Sequence, residues 1–276
     1  MPFFRYFPTA SYSFPDPSVV SSITDIFRFV KVDAQFLDSI SAYTYYLIHN
    51  GDRPDVVSTK IYGIPDYYWT FFVINDSLKS GLTGWPMSYL EFQTYMESEY
   101  DGTVLVTIPT TITNSFGLGD TYVNSLAGPT FIVGETVTGL TSGATGTVVS
   151  KDVQLSQLAL TKVTGQFQAN EYVRGTTSSY VVTPYQVFPR AYAPHHYEDP
   201  AGNVSYNALL INEINSSQGV QSLTPNVNDY PDAPNLTTVS NWDHETALND
   251  ARSTIRVLQP DVVYDFAKTY KTLIQK

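Results

Sequence analysis

A twelve-residue pattern that occurs twice constrains this chain more than any other feature. "FIVGETVTGLTSGATGTVVS" begins at Phe131 and "FQANEYVRGTTSSYVVTP" begins at Phe167. Both fit F-x-x-[GN]-E-x-V-x-G-x-T-S, at a spacing of 36 residues. Each copy alternates apolar and polar residues and runs to a glycine turn. A period of two puts successive side chains on opposite faces of a strand, so each copy reads as short strands and hairpins. The stretch from about 103 to 190 is rich in Thr, Val, Gly and Ser and nearly free of helix signals. Two such units predict a small inserted β-barrel or sandwich. "GLTSGATG" (139–146) resembles a phosphate-binding loop, but such a loop leads into a helix and brings a Lys. Strand-like runs flank this one, so a hairpin is expected.

The flanking segments have another character, and the predicted class is α+β. Residues 1–22 read as an extended arm. Pro2, Pro8, Pro15 and Pro17 each remove a backbone donor, yet Phe3, Phe4, Tyr6, Phe7, Tyr12 and Phe14 are too aromatic for a free tail. The arm should lie pinned on a surface. Residues 23–102 read as one small domain. "YTYYLI" is a strand and "NGD" a turn with Gly51. "PDVVSTKIYG" is a helix with Pro54 at its start and Gly63 past its end. "IPDYYWTFFVIND" is a second helix ending near Asn75, and a short closing strand is expected near Gly84 and Trp85. That order is β-α-α-β, with a further helix over 88–100. Residues 191–240 read as loop or linker. Residues 241–276 read as a helical segment that packs back on the first domain or on a neighbour, with Val263, Phe266, Tyr270 and Leu273 or Ile274 as its apolar stripe.

Composition narrows the function. Charged residues make up 15% of the chain, against about 25% in an average globular domain. With 21 Tyr and 15 Phe, this suits a protein that hides surface in an assembly. The net charge of −11 and the scattered Lys and Arg argue against nucleic acid as a partner. There is no cysteine, hence no disulfide and no thiolate site. No apolar run is long enough for a transmembrane helix, and the proline-broken N-terminus does not read as a secretory signal.

No catalytic constellation is legible: there is no G-x-S-x-G, P-loop, Rossmann fingerprint or H-E-x-x-H. His195 and His196 are adjacent, with Glu198 and Asp199 close by, which are metal-ligand types. Neighbours in an extended segment point to opposite faces, so both imidazoles are not expected at one ion. His244 reads as a helix-surface residue without a partner, and His49 as structural. Neither catalytic residues, metal nor cofactor is expected, and the chain does not read as an enzyme.

"NGD", "IYG" and "VIND" in β-α-α-β order resemble a LysM module, a family whose free members bind N-acetylglucosamine polymers. A longer resemblance runs through "TDIFRFVKV", the stretch from "YTYYLIHNGDRPDVVSTKIYG" to "EFQTYM", and "NDARSTIRVLQPDVVYDFAKTYKTLI". These are similar to the baseplate wedge protein 53 family of contractile-tailed bacteriophages. The ordered run that carries it includes Arg53, Pro54, Ile61, Tyr62, Gly63, Pro65, Tyr68, Trp69, Asn75, Asp76, Gly84 and Trp85.

This resemblance implies a LysM-like wedge domain used for assembly. It implies a structural subunit of the virion tail baseplate, assembled in the host cytoplasm, that clamps or joins neighbouring wedges. Its partners would be other baseplate wedge proteins, namely the ring-forming dimeric wedge subunit and the sheath-initiating wedge subunit, with six copies around the baseplate. Neither nucleic acid nor membrane is implied. The alternative is a peptidoglycan- or glycan-binding LysM-type module of a tail protein. The protein-interface candidates are Phe4, Tyr6, Phe7, Tyr67, Trp69, Trp85 and Tyr270, with a core role as the competing reading for Trp69 and Trp85. Gly51, Pro54, Gly63, Asn75 and Gly84 are the fold-defining positions.

Overall fold

The computed structural model describes residues 7–13, 20–26, 28, 30–32, 40–107, 110–113, 120–123, 126, 130–198, 201, 202, 204, 205 and 237–275. The chain divides into two compact units. Unit 1 is Met1–Phe92 with Ala247–Lys276, and unit 2 is Gln93–Thr246.

Unit 1 begins with an antiparallel ribbon of β1 (Thr9–Tyr12) and β2 (Ser21–Thr24), Thr9 lying opposite Thr24. The expected arm is therefore paired over these residues. Pro8 stands just outside the first strand, where its missing N–H costs no ladder bond. β3 (Tyr43–Leu47) follows, then a turn at Gly51, whose φ of +80° suits a residue without Cβ. Helix α1 (Pro54–Tyr62) has Pro54 in its first turn and ends at Gly63. There a left-handed φ of +75° lets the Gly63 N–H donate to Thr59 O. A single 3-10 turn, Pro65–Tyr67, leads into α2 (Trp69–Ile74). The expected strand near Trp85 does not form. Gly81–Gly84 is a 3-10 turn instead, and a Cβ on Gly84 would stand 3.2 Å from the Leu78 backbone. Ser88 and Glu91 then cap the start of α3 (Tyr89–Glu99): the Ser88 N–H donates to Glu91 Oε2 at 2.8 Å, and the Glu91 N–H donates back to Ser88 Oγ at 3.3 Å.

Unit 2 holds the repeats. Its strands are β4 (Thr103–Thr107), β5 (Thr110–Thr113), β6 (Asp120–Val123), β7 (Thr136–Gly139), β8 (Thr145–Asp152), β9 (Gln157–Thr164), β10 (Val173–Gly175), β11 (Val181–Val182) and β12 (Pro184–Pro189). Among the described residues β5 pairs with β6 alone; the other seven form one antiparallel sheet in the order β11-β10-β7-β8-β9-β4-β12. Its two edge strands are joined in sequence by Thr183 alone, so the sheet must curl until its edges nearly meet. The result is barrel-like, as expected for this part of an α+β chain. Inside are Leu105, Phe131, Val137, Val148, Leu158, Leu160, Phe167 and Val173, so the leading Phe and the Val of both repeats share one core.

The repeats also exchange side chains. Glu135 of the first copy accepts the Thr177 and Ser178 N–H groups and the Ser178 hydroxyl of the second, at 3.0, 2.9 and 2.8 Å. Glu171 of the second copy accepts the Thr141 and Ser142 N–H groups and the Ser142 hydroxyl of the first, at 3.2, 2.9 and 2.9 Å. The strands between them match: Val173 lies opposite Gly139 and Gly175 opposite Val137. Two copies of one motif related by a local twofold produce this pairing. The motif's glycine leaves room for this contact: a Cβ on Gly139 would fall 2.6 Å from Glu171 Oε2 and one on Gly175 would fall 2.7 Å from Glu135 Oε2, so either would push the carboxylate off its partners.

The segment expected as linker contains structure. β13 (Pro194–Glu198), β14 (Val204–Ser205) and β15 (Thr237–Ser240) form a three-stranded antiparallel sheet in the order β14-β13-β15. Helix α4 (Asn241–Ser253) follows, started by Ser240, whose Oγ accepts the Asp243 N–H at 3.1 Å.

The chain then returns to unit 1. β16 (Thr254–Leu258) pairs antiparallel with β3, Arg256 opposite Tyr45. This distant segment supplies the partner strand that was expected near Trp85. Helix α5 (Pro260–Ile274) buries Val263, Ala267, Tyr270 and Ile274, while Leu273 is exposed and Phe266 is half-buried. The core of unit 1 joins Ile48, Val57, Phe71, Leu78, Trp85, Ile255 and Val257.

Candidate functional site

The interface candidates divide by burial. Phe4 and Tyr6 lie outside the described residues. Phe7, Trp69 and Tyr270 are buried together with Ala267 and Ile274. The Trp69 ring lies 5.0 Å from that of Tyr270 and 6.2 Å from that of Phe266. Trp85 is buried against Phe71 and Phe72, and its indole N–H donates to Asp52 O at 2.7 Å. Tyr67 is half-buried, edge-on to Tyr62. Four of the seven candidates, Phe7, Trp69, Trp85 and Tyr270, are thus covered by the chain's own residues. Aromatic density marks core here because unit 1 is small and fills its interior with rings.

The apolar surface that unit 1 does expose was not singled out by the sequence. Tyr45 and Leu47 on β3 are 63% and 58% exposed, and Tyr89 and Leu90 at the start of α3 are 69% and 71% exposed. β3 pairs only with β16 among the described residues. Alternation along β3 carries the signal, since Tyr45 and Leu47 share one face. The fold-defining residue Asn75 is buried at the end of α2, and its carboxamide bonds to the backbone of both α2 and β16.

Unit 2 holds a second constellation. His195 and His196 on β13 and His244 on α4 bring one ring nitrogen each within 4.8 Å of one another. This corrects two expectations. The pairing of β13 with β15 shifts register between Pro194 and His196. A bulge breaks the alternation of a strand, so neighbouring side chains need not oppose. The Nδ1 atoms of His195 and His196 accordingly stand 2.7 Å apart. His244 is half-buried rather than free on a helix surface, its ring stacked 3.8 Å from that of His195 at 11°. The main chain holds this arrangement: the Asn241 N–H donates to Ala193 O at 3.0 Å and its Nδ2 donates to Arg190 O at 2.7 Å. Tyr192 and Trp242 stack beside it at 5.8 Å. Burial, helped by His244 and His196, pushes the His195 pKa down, which favours the neutral ring. His49 is exposed, 3.6 Å from Asp52. Beside the cluster lies a cavity of ≈ 230 Å³ lined by Tyr100, Asp152, Gln157, Arg190, His195 and Asn241. No helix among the described residues is long and apolar enough to cross a membrane.

Unit 1 thus combines a filled aromatic core with an exposed apolar strand face. Residues 4–100 match the family described as base plate wedge protein 53. The LysM-like detail is not part of that match. No curated protein and no solved structure matches the chain. Unit 2 lies almost wholly outside the matched residues.

Proposed function

We propose that this chain clamps neighbouring wedges in the tail baseplate, with unit 1 as the joining module and its exposed strand face as a contact surface. The supporting observation is the coincidence of the family match with an uncovered apolar face at Tyr45 and Leu47. Exposed apolar residues sharing one strand face suit packing against a protein partner. The partners on this reading are the ring-forming dimeric wedge subunit and the sheath-initiating wedge subunit. Six copies then surround the baseplate of the virion after assembly in the host cytoplasm. The role is structural, without catalysis. A LysM-like ancestry of unit 1 is part of this proposal.

Co-purification with the wedge subunits tests it. The chain should be retained by them, and Tyr45→Ser with Leu47→Ser should weaken retention at least tenfold. Equal retention of both forms would remove the strand face from the interface. Saturable retention on peptidoglycan without affinity for wedge subunits would favour the glycan-binding alternative.

A further inference from the structure

We propose that His195, His196 and His244 form a binding site for one divalent transition-metal ion, Zn²⁺ by ligand type, that pins β13 to the first turns of α4. Three imidazoles without carboxylates suit Zn²⁺, Cu²⁺ or Ni²⁺ and not Ca²⁺ or Mg²⁺, which take oxygen ligands.

Three observations carry the site. The first is convergence: ring nitrogens from two elements lie within 4.8 Å, where nitrogens on one tetrahedral zinc stand about 3.4 Å apart. The second is orientation. His196 is buried, and its Nε2 sits 3.0 Å from Glu198 Oε1. A carboxylate on the outer nitrogen sets that nitrogen as the donor and leaves Nδ1 as a lone pair aimed at His195. This is the carboxylate–histidine arrangement that commonly backs a metal ligand. The third is access, since the cavity beside His195 offers an entry path and room for a water as fourth ligand.

Binding requires two movements, and the first is that the His195 and His196 Nδ1 atoms, 2.7 Å apart, must part to about 3.4 Å. An ion lies near the plane of each ring it binds, so the parallel rings of His195 and His244 must splay. Rotation about the His244 side-chain torsions achieves this while Asn241 keeps the helix start in place. The proton between the two Nδ1 atoms moves to the outer nitrogen of His195, which frees the His195 Nδ1 lone pair for the ion. The ion then ties a bulged strand to a helix, the role of a structural metal clip.

The test uses the full chain freed of metal by chelation, titrated with Zn²⁺ and with Co²⁺. The expected result is one ion per chain, visible Co²⁺ absorption of tetrahedral intensity, and a rise in Tm on saturation. His244→Ala should weaken binding at least tenfold, as should Glu198→Gln, which preserves shape and leaves all three ligands in place. His49→Ala should bind as the unaltered chain does. Failure of the unaltered chain to take up one equivalent, or unaltered affinity in His244→Ala, would overturn the proposal.

Discussion

Glu135 of the first repeat grips Ser178 of the second through both backbone and hydroxyl, and Glu171 grips Ser142 in return. Both carboxylates are buried, and the hydrogen bonds satisfy what burial would otherwise make costly. Glu135→Ala should destabilise unit 2 by about 3 kcal/mol, because it strands N–H groups as well as removing bonds. Glu171→Ala should cost a similar amount, since the local twofold gives it the same partners. Thermal melts of the two variants against the parent measure both.

The same pair should make the stability of unit 2 fall in acid. Burial alone would raise the pKa of Glu135, but bonds from Ser178, Ile132 and Thr177 outweigh it and hold the carboxyl below its usual 4.5. Burial is likewise the largest influence on Glu171, and bonds from Gln168, Ser142 and Thr141 again leave it lowered. A pKa lower in the folded state means the unfolded chain binds the proton more readily. The stabilisation is therefore complete above the unfolded value and is lost as pH falls through the folded one. Unfolding free energy measured from pH 6 to 3 should drop on the acid side. The doubly substituted Glu135→Gln, Glu171→Gln chain should show a shallower drop.

Asn75 completes the pairing of a strand far away in sequence. The Arg256 N–H donates to its Oδ1 at 2.7 Å, and its Nδ2 donates to Arg256 O at 2.9 Å and Phe71 O at 2.8 Å. Asn75→Ala should cost about 2–3 kcal/mol. Amide hydrogen exchange should rise at Arg256, whose N–H loses its acceptor.

Burial separates the aromatic residues by role. Trp69→Ala should cost about 3–5 kcal/mol in thermal unfolding, as expected of a ring inside a core. Tyr45→Ser and Leu47→Ser should each change stability by about 0.5 kcal/mol or less. Equal losses at the two kinds of position would contradict the division into core and surface.

Gly102 has φ +99°, and a Cβ there would fall 1.9 Å from Leu160 O. Backbone on both sides leaves no flexible atom to yield. Gly102→Ala should therefore cost about 3 kcal/mol or more. A melting temperature equal to the parent's would show that the β4–β9 contact can open.

Much of this was written locally. The alternation and the repeat marked the β-rich unit. Pro54 and Gly63 bounded α1, and the apolar spacing of the last helix marked its buried face except at Leu273. Such signals act over one turn or one hairpin, so a short window of sequence contains them. Four decisions came only with tertiary structure. Thr254–Leu258, not the segment near Trp85, pairs with β3. Each repeat's Glu serves the other repeat. Trp69 and Tyr270 fill a core that neither segment could fill alone. A register shift beside His196 turns two histidines toward one point, where α4 adds a third. Each depends on contacts between residues distant in the chain. Composition and period specify what a segment can become, and the partner that buries it specifies which face it shows.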